Sequence, residues 1–252
     1  MKSPYRILFA IVVLLIAVGC LCNGSNFAPN LPSVSSPAAT NAPASTNDAN
    51  GTTATSAPAA SGEEFFTENF DSDISDNWSQ TIDLNADTGD KSQAKINVDN
   101  GYLVFDFGKW LIGYEFYQPH KYSNVRIDLR VDNRGTNVND ILLVCRASDE
   151  GHYLVNVANS GLFAIYAFDG TKKAYVRMAD GGSAKIKSGK EINDYALVCN
   201  DKTLTLYINN FEVRSYTDNQ FVFREGQVGV GVASEDQVPV KVNFDWVKIS
   251  KP

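Results

Sequence analysis

Val125-Arg126-Ile127-Asp128-Leu129-Arg130-Val131 alternates aliphatic and charged residues without a break. A period of two places the four aliphatic side chains on one face of an extended chain and the three charged ones on the other. A helix would scatter the same residues around its axis, so the stretch predicts a strand with one dry face. Further along, Thr203-Leu-Thr-Leu-Tyr-Ile208 follows the same rule, with Leu204, Leu206 and Ile208 inward and Thr203, Thr205 and Tyr207 outward. The polar faces fit either a ligand platform or plain solvation.

Working outward from that strand, similar runs recur on both sides. Upstream lie Tyr102-Leu-Val-Phe-Asp-Phe107 and Trp110-Leu-Ile-Gly-Tyr-Glu-Phe-Tyr117. Downstream lie Ile141-Leu-Leu-Val-Cys-Arg146, Tyr153-Leu-Val-Asn-Val157, Leu162-Phe-Ala-Ile-Tyr-Ala-Phe168 and Lys173-Ala-Tyr-Val-Arg-Met178. The set closes with Tyr195-Ala-Leu-Val-Cys199, Val228-Gly-Val-Gly-Val232 and Val240-Lys-Val-Asn-Phe-Asp-Trp-Val-Lys-Ile249. Asn133-Arg-Gly135, Asp169-Gly170 and Asn209-Asn210 punctuate them with residues that tolerate positive φ. No window of helical length shows a 3.6-residue period, which disfavours a parallel sheet with crossover helices. Short strands at close spacing predict an all-β, antiparallel β-sandwich of the jelly-roll type.

The 22 basic and 29 acidic residues leave a net charge of −7, which repels phosphate backbones and argues against a nucleic-acid partner. At the N-terminus Lys2 and Arg6 precede an unbroken apolar run over residues 7–18. That run has the length of a signal-peptide core and falls short of the ~20 residues of a membrane span. Ala17-Val18-Gly19-Cys20 then resembles the lipobox of bacterial lipoproteins, although that family usually has Leu where Ala17 stands. The resemblance implies cleavage before Cys20 and a lipid on its thiol, so that the membrane is reached through the anchor. Cys22, behind the bulky Leu21, is a poorer cleavage site. Release by ordinary signal cleavage and retention of the uncleaved segment are the alternatives, and every version exports the rest of the chain. Residues 23–62 are Ser, Thr, Ala, Pro, Asn and Gly with little else, a composition with too little apolar surface to offset ordering entropy. As a coil this spacer has a reach of about 35 Å. The expected organisation is a signal peptide at 1–19, a disordered linker at 20–62 and a sandwich domain at 63–252, anchored by lipid and facing the extracellular side.

Several fragments of the domain are similar to concanavalin A-like lectin/glucanase sandwiches. Phe66-Thr-Glu-Asn-Phe-Asp71 followed by Asn77-Trp78 resembles their opening, and Asn100-Gly-Tyr-Leu103 their second strand. Leu143-Val-Cys-Arg146 with Tyr153-Leu-Val155 resembles a central segment. Leu197-Val-Cys-Asn200, Leu204-Thr-Leu-Tyr-Ile-Asn209, Gly226-Gln-Val-Gly229 and Asn243-Phe-Asp-Trp246 resemble the closing pattern, with Asn210 where Gly is usual. The likeness extends to laminin-G-like modules and to domains named for 3-keto-disaccharide hydrolases. It rests on packing and turn residues, so it implies the fold, and contact with a carbohydrate or cell-surface polymer only by analogy.

Catalytic signatures are scarce. Glucanases on this fold use an E-x-D-x-x-E strand whose glutamates act as nucleophile and acid, and that spacing is absent. Asp149-Glu150 are adjacent and would point apart in a strand. Only His120 and His152 are available as bases, and there is no G-x-S-x-G elbow, phosphate loop or dinucleotide fingerprint. The expectation leans toward a non-catalytic binding module, with a glycoside-processing hydrolase and a structural protein-interaction domain of the cell envelope as alternatives. No cofactor is expected beyond a structural calcium at Asp71, Asp73 and Asp76, whose oxygens suit a hard cation but also suit turns. Cys145 and Cys199 share inward parity on different strands, and in an exported domain they are either a disulfide or two buried thiols. By parity the outward residues that could stack on or hydrogen-bond a sugar are Tyr117, Arg146, Tyr175 and Arg177, whereas Trp78, Trp110 and Trp246 sit in packing contexts.

Overall fold

A computed structural model describes residues 62–252. The expected signal peptide over 1–19, the expected lipidation site Cys20 and the expected linker over 20–62, except Gly62, lie outside the described residues. In chain order the strands are β1 (Phe66–Glu68), β2 (Trp78–Leu84), β3 (Ala94–Asp99), β4 (Tyr102–Phe107), β5 (Leu111–Tyr122), β6 (Val125–Asn133), β7 (Asn139–Ser148) and β8 (Gly151–Ala158). They continue with β9 (Leu162–Asp169), β10 (Ala174–Gly182), β11 (Ile192–Asn200), β12 (Thr203–Ile208), β13 (Phe211–Thr217), β14 (Gly226–Ser234) and β15 (Val240–Ser250).

These strands form two antiparallel sheets. One is eight-stranded, ordered β13-β12-β11-β6-β15-β4-β3 with β1 added beside β15, and the other is seven-stranded, ordered β10-β9-β8-β7-β14-β5-β2. The domain is an antiparallel β-sandwich jelly roll. β6 sits in the middle of the larger sheet, and its Val125, Ile127, Leu129 and Val131 are buried as the alternation predicts. They meet Leu143, Val155, Ile165 and Val230 of the smaller sheet in one apolar core. At the β12–β13 hairpin Asn209 and Asn210 take φ of 50° and 67°, the left-handed pair that a two-residue turn requires. Cys145 of β7 and Cys199 of β11 are joined as a disulfide that ties the two sheets together, with Cα atoms 6.8 Å apart.

Two parity assignments are corrected here. Tyr117 points inward: its ring packs 4.5 Å from Phe66 and 5.3 Å from Trp78, and its hydroxyl donates to the Glu63 carbonyl at 2.7 Å. In β5 the outward face carries Ile112, Tyr114 and Phe116, and the inward face carries the acidic Glu115 beside Leu111 and Tyr117, so hydrophobicity did not mark the core side. Arg146 is also buried. The β7–β8 register shifts between Cys145 and Ser148, and Arg146 takes φ 57° there, which breaks the alternation. Its guanidinium donates to the carbonyls of Ser123 (2.6 and 2.9 Å) and Phe223 (3.0 Å), pinning the segment before β14.

Candidate functional site

The outer faces of the two sheets differ in kind. On the larger sheet the outward row carries Arg126, Asp128, Arg130 and Asp194, joined into ion pairs at 2.6 Å (Arg126–Asp128) and 2.8 Å (Arg130–Asp194). Trp246, half-buried, lies on this face with the Arg130 guanidinium 5.9 Å from its ring. Such a face is an ordinary solvated one.

The outer face of the smaller sheet is apolar at its centre and polar toward its ends. The register sets Arg177, Tyr166, Leu154, Val144, Gly229, Phe116 and Ser79 in one row across the strands from β10 to β2. The next row reads Asp180, Ala164, Asn156, Leu142, Gly231, Tyr114 and Thr81. Glycines at the β14 positions are what let the aromatic rings of β5 lie down. A Cβ on Gly229 would stand 2.6 Å from the Phe116 ring, and one on Gly231 would stand 2.3 Å from the Gly113 carbonyl oxygen and 2.8 Å from the Tyr114 ring. Tyr114 and Phe116 therefore pack onto Leu142, Val144 and Leu154 as a second apolar cluster outside the main core.

Tyr175 covers part of this platform. Its ring lies 4.9 Å from Phe168 and 6.1 Å from Tyr166, and its hydroxyl is 3.3 Å from Nε2 of His152. His152 stacks on Phe168 at 5.0 Å, and burial pushes its pKa down to about 4, so the ring is neutral at neutral pH. Burial first, and then the neighbouring Tyr175, push the Tyr114 hydroxyl well above the ordinary tyrosine value.

Beside Tyr175 the face opens into a groove. One cavity of 290 Å³ is lined by Asp140, Asn156, Leu162, Tyr166, Arg177, Asp180 and Glu235, among others. A second, of 190 Å³, shares Asp140, Asn156 and Tyr166 with it and reaches Asn85, Ile112 and Tyr175. Asp140 pairs with Ala233 across β7 and β14, which sets Glu235, two residues on, diagonally beside it. Burial raises the Asp140 carboxyl pKa, the Asn156 side chain lowers it, and the nearby Glu235 charge raises it further. The arrangement offers ring faces for stacking, an amide and carboxylates for hydroxyl groups, and one guanidinium 5.6 Å from the Tyr166 ring.

Of the four residues predicted outward, the structure brings Tyr175 and Arg177 to this groove and leaves Tyr117 and Arg146 in the interior. Asp71, Asp73 and Asp76 are exposed in the segment between β1 and β2, and among the described residues no three His, Cys, Asp or Glu side chains come together to hold a metal ion. Trp78 is core and Trp110 is half-buried. Tyr166 was missed although Phe163, Ile165 and Ala167 alternate with it. Asp140 and Glu235 were missed because only the pairing of two strands far apart in sequence places them together.

No protein-family model and no curated protein sequence matches the chain. Solved structures do. A Bacteroides ovatus GH16 enzyme of a mixed-linkage glucan locus, in complex with a G4G4G3G product, matches with a TM-score of 0.54 at 14% identity, over 73% of this chain and 99% of that one. The Bacillus licheniformis β-glucanase matches with a TM-score of 0.56 at 9% identity, over 75% and 98%. The carbohydrate-binding module CBM66 from Bacillus subtilis matches with a TM-score of 0.50 at 15% identity, over 69% and 96%. The domain thus has the concanavalin A-like sandwich fold shared by these glucanases and this binding module.

Proposed function

We propose that this chain is an exported, lipid-anchored protein whose sandwich domain binds a carbohydrate or surface polymer in the groove of its seven-stranded sheet. The observation that carries the reading is the aromatic platform, with Tyr166 and Tyr175 at the groove and Asn156, Asp140 and Arg177 set among them. An apolar outer face rimmed by convergent polar groups is the arrangement that sugar rings need, since they present apolar faces and hydroxyl edges at once. The structural neighbours act on or bind carbohydrates, which supports the same assignment. The lipobox at Ala17-Val18-Gly19-Cys20 supports the anchor and with it display outside the membrane.

A hydrolytic second reading has one observation in its favour. Asp140, its carboxyl pKa raised first by burial, stands diagonally beside Glu235, and a pair of carboxyl groups is what glycoside cleavage uses. Screening the full chain on a glycan array, with and without calcium, tests the binding reading. Specific signals that vanish in Tyr166→Ala support it, and silence across the array overturns it. Incubating the bound glycan with the protein and analysing by chromatography separates the two, because only a hydrolase shortens the chain.

A further inference from the structure

We propose that the groove selects glycans that carry free amino groups, an inference that rests on the carbohydrate-binding reading above. The 290 Å³ cavity gathers three carboxylates, Asp140, Asp180 and Glu235, against one cation, Arg177. Among the described residues, none of the side-chain ion pairs involves any of these four. Arg177 leans on the Tyr166 ring instead, 5.6 Å from its centre, and so leaves the carboxylates unneutralised. Two of those acids already interact: Asp140 and Glu235 line the same cavity, and besides burial, which raises the Asp140 pKa, and the Asn156 side chain, which lowers it, the Glu235 charge raises it. A ligand ammonium set among them would relieve that repulsion.

The aromatic surroundings favour the same ligand. Tyr175, the exposed ring of the pair, stands 6.1 Å from Tyr166 in an edge-to-face arrangement, so a sugar lying on Tyr175 sits at the cavity that both rings line. Ring faces attract ammonium groups as well as sugar C–H surfaces. Uronic acids and sulfated sugars meet a net negative wall, and the overall charge of −7 repels them at longer range. A neutral N-acetylated sugar keeps the stacking but gains nothing from the carboxylates.

The test is isothermal titration of the full chain with four probes: a β-1,4 glucosamine tetramer, the N-acetylglucosamine tetramer, a galacturonic acid tetramer and tetralysine. The glucosamine tetramer is expected to bind about tenfold more tightly than its N-acetylated form at low ionic strength, with the ratio shrinking as salt rises. Glu235→Gln and Asp180→Asn, each checked for native circular dichroism, are expected to narrow that ratio by about threefold. Equal or tighter binding of the neutral tetramer overturns the inference, as does any preference for galacturonate. Tetralysine binding as tightly as the glucosamine tetramer would assign the site to basic peptides and overturn it too. If the glucosamine tetramer fails while another glycan binds on the array, the selectivity is refuted and the groove reading stands. Failure of every glycan refutes both.

Discussion

Removing the bond between Cys145 and Cys199 should cost this domain most of an ordinary margin of stability. The crosslink closes a loop across 54 residues of sequence and joins β7 of one sheet to β11 of the other. Loop closure of that length removes about 14 cal/mol/K from the unfolded chain, or about 4 kcal/mol at 25 °C. Both sulfurs are fully buried, so Cys145→Ala/Cys199→Ala also loses about 1 kcal/mol of packing at each site. The expected total of about 5–6 kcal/mol corresponds to a fall in Tm of about 10–20 °C for a domain of this size. Urea unfolding separates the two contributions. Wild-type protein refolded under reducing conditions keeps both sulfurs and lacks only the crosslink, so it should lose the loop contribution alone. The m-value should rise in both cases, because an open unfolded chain exposes more surface. A loss below about 1 kcal/mol with an unchanged m-value would refute the argument.

Three further substitutions probe the interior and the platform. Glu115, 1% exposed, points into the sandwich and accepts from Gln80 Nε2 at 2.9 Å, and burial raises its pKa above the ordinary 4.5. A raised carboxyl contributes its stability below the unfolded pKa and loses it as pH climbs through the folded one, so Glu115→Gln should gain on wild type as pH rises from about 4.5 toward neutrality. Denaturation midpoints of the two proteins across that range check this, and a variant-minus-wild-type difference that falls as pH rises contradicts it. Tyr153→Phe removes a hydroxyl that donates to Asp218 Oδ2 at 2.6 Å and accepts from the Phe223 amide at 3.0 Å. The orphaned buried amide should cost about 1–3 kcal/mol in urea, and a neutral result would mean that the 218–223 segment is held by other means. Gly231→Ala forces a Cβ against the Gly113 carbonyl, so β14 and β5 must part and the Tyr114 ring must lift. A stability loss of about 1–3 kcal/mol together with weaker glycan binding is expected, and wild-type behaviour in both would refute the account of how the rings lie down.

The fold was legible because it is written in periods of two. Val125, Ile127, Leu129 and Val131 are buried as read, and so are Leu204, Leu206 and Ile208. For Cys145 and Cys199 parity gave only a shared inward face, which fitted a disulfide and two buried thiols alike, and the structure joins them. The site was legible only in part. Tyr175 and Arg177 lie on the edge strand β10, where ordinary alternation holds before the register shifts between Arg177 and Ala179. Tyr117 misled because the acidic residue on its face, Glu115, points inward with it, and Arg146 because a bulge moves it out of phase. Strand pairing is the information that a single strand lacks. It alone brings Asp140 to Glu235, Tyr114 over Gly231, and the whole row from Arg177 to Ser79 into one surface.

The two outer faces of the same sandwich supply their own comparison. Both belong to antiparallel sheets of similar size around a shared core, and solvation alone would make them chemically alike. One bears paired arginines and aspartates, as a wetted face should. The other bears Tyr114, Phe116, Leu142, Val144, Leu154, Tyr166 and Phe168, flattened over glycines and bordered by carboxylates. This second cluster lies outside the main core, which is continuous on the opposite side of the same strands. Leu142, Val144 and Leu154 are buried within this cluster, so what the face turns outward is the half-buried Phe116, Tyr166 and Phe168 and the exposed Tyr175, and the proposed reading is of a ligand that lies flat against them. Sugar rings do so, and the groove between Tyr166, Asp140 and Glu235 is where such a chain would meet its polar contacts.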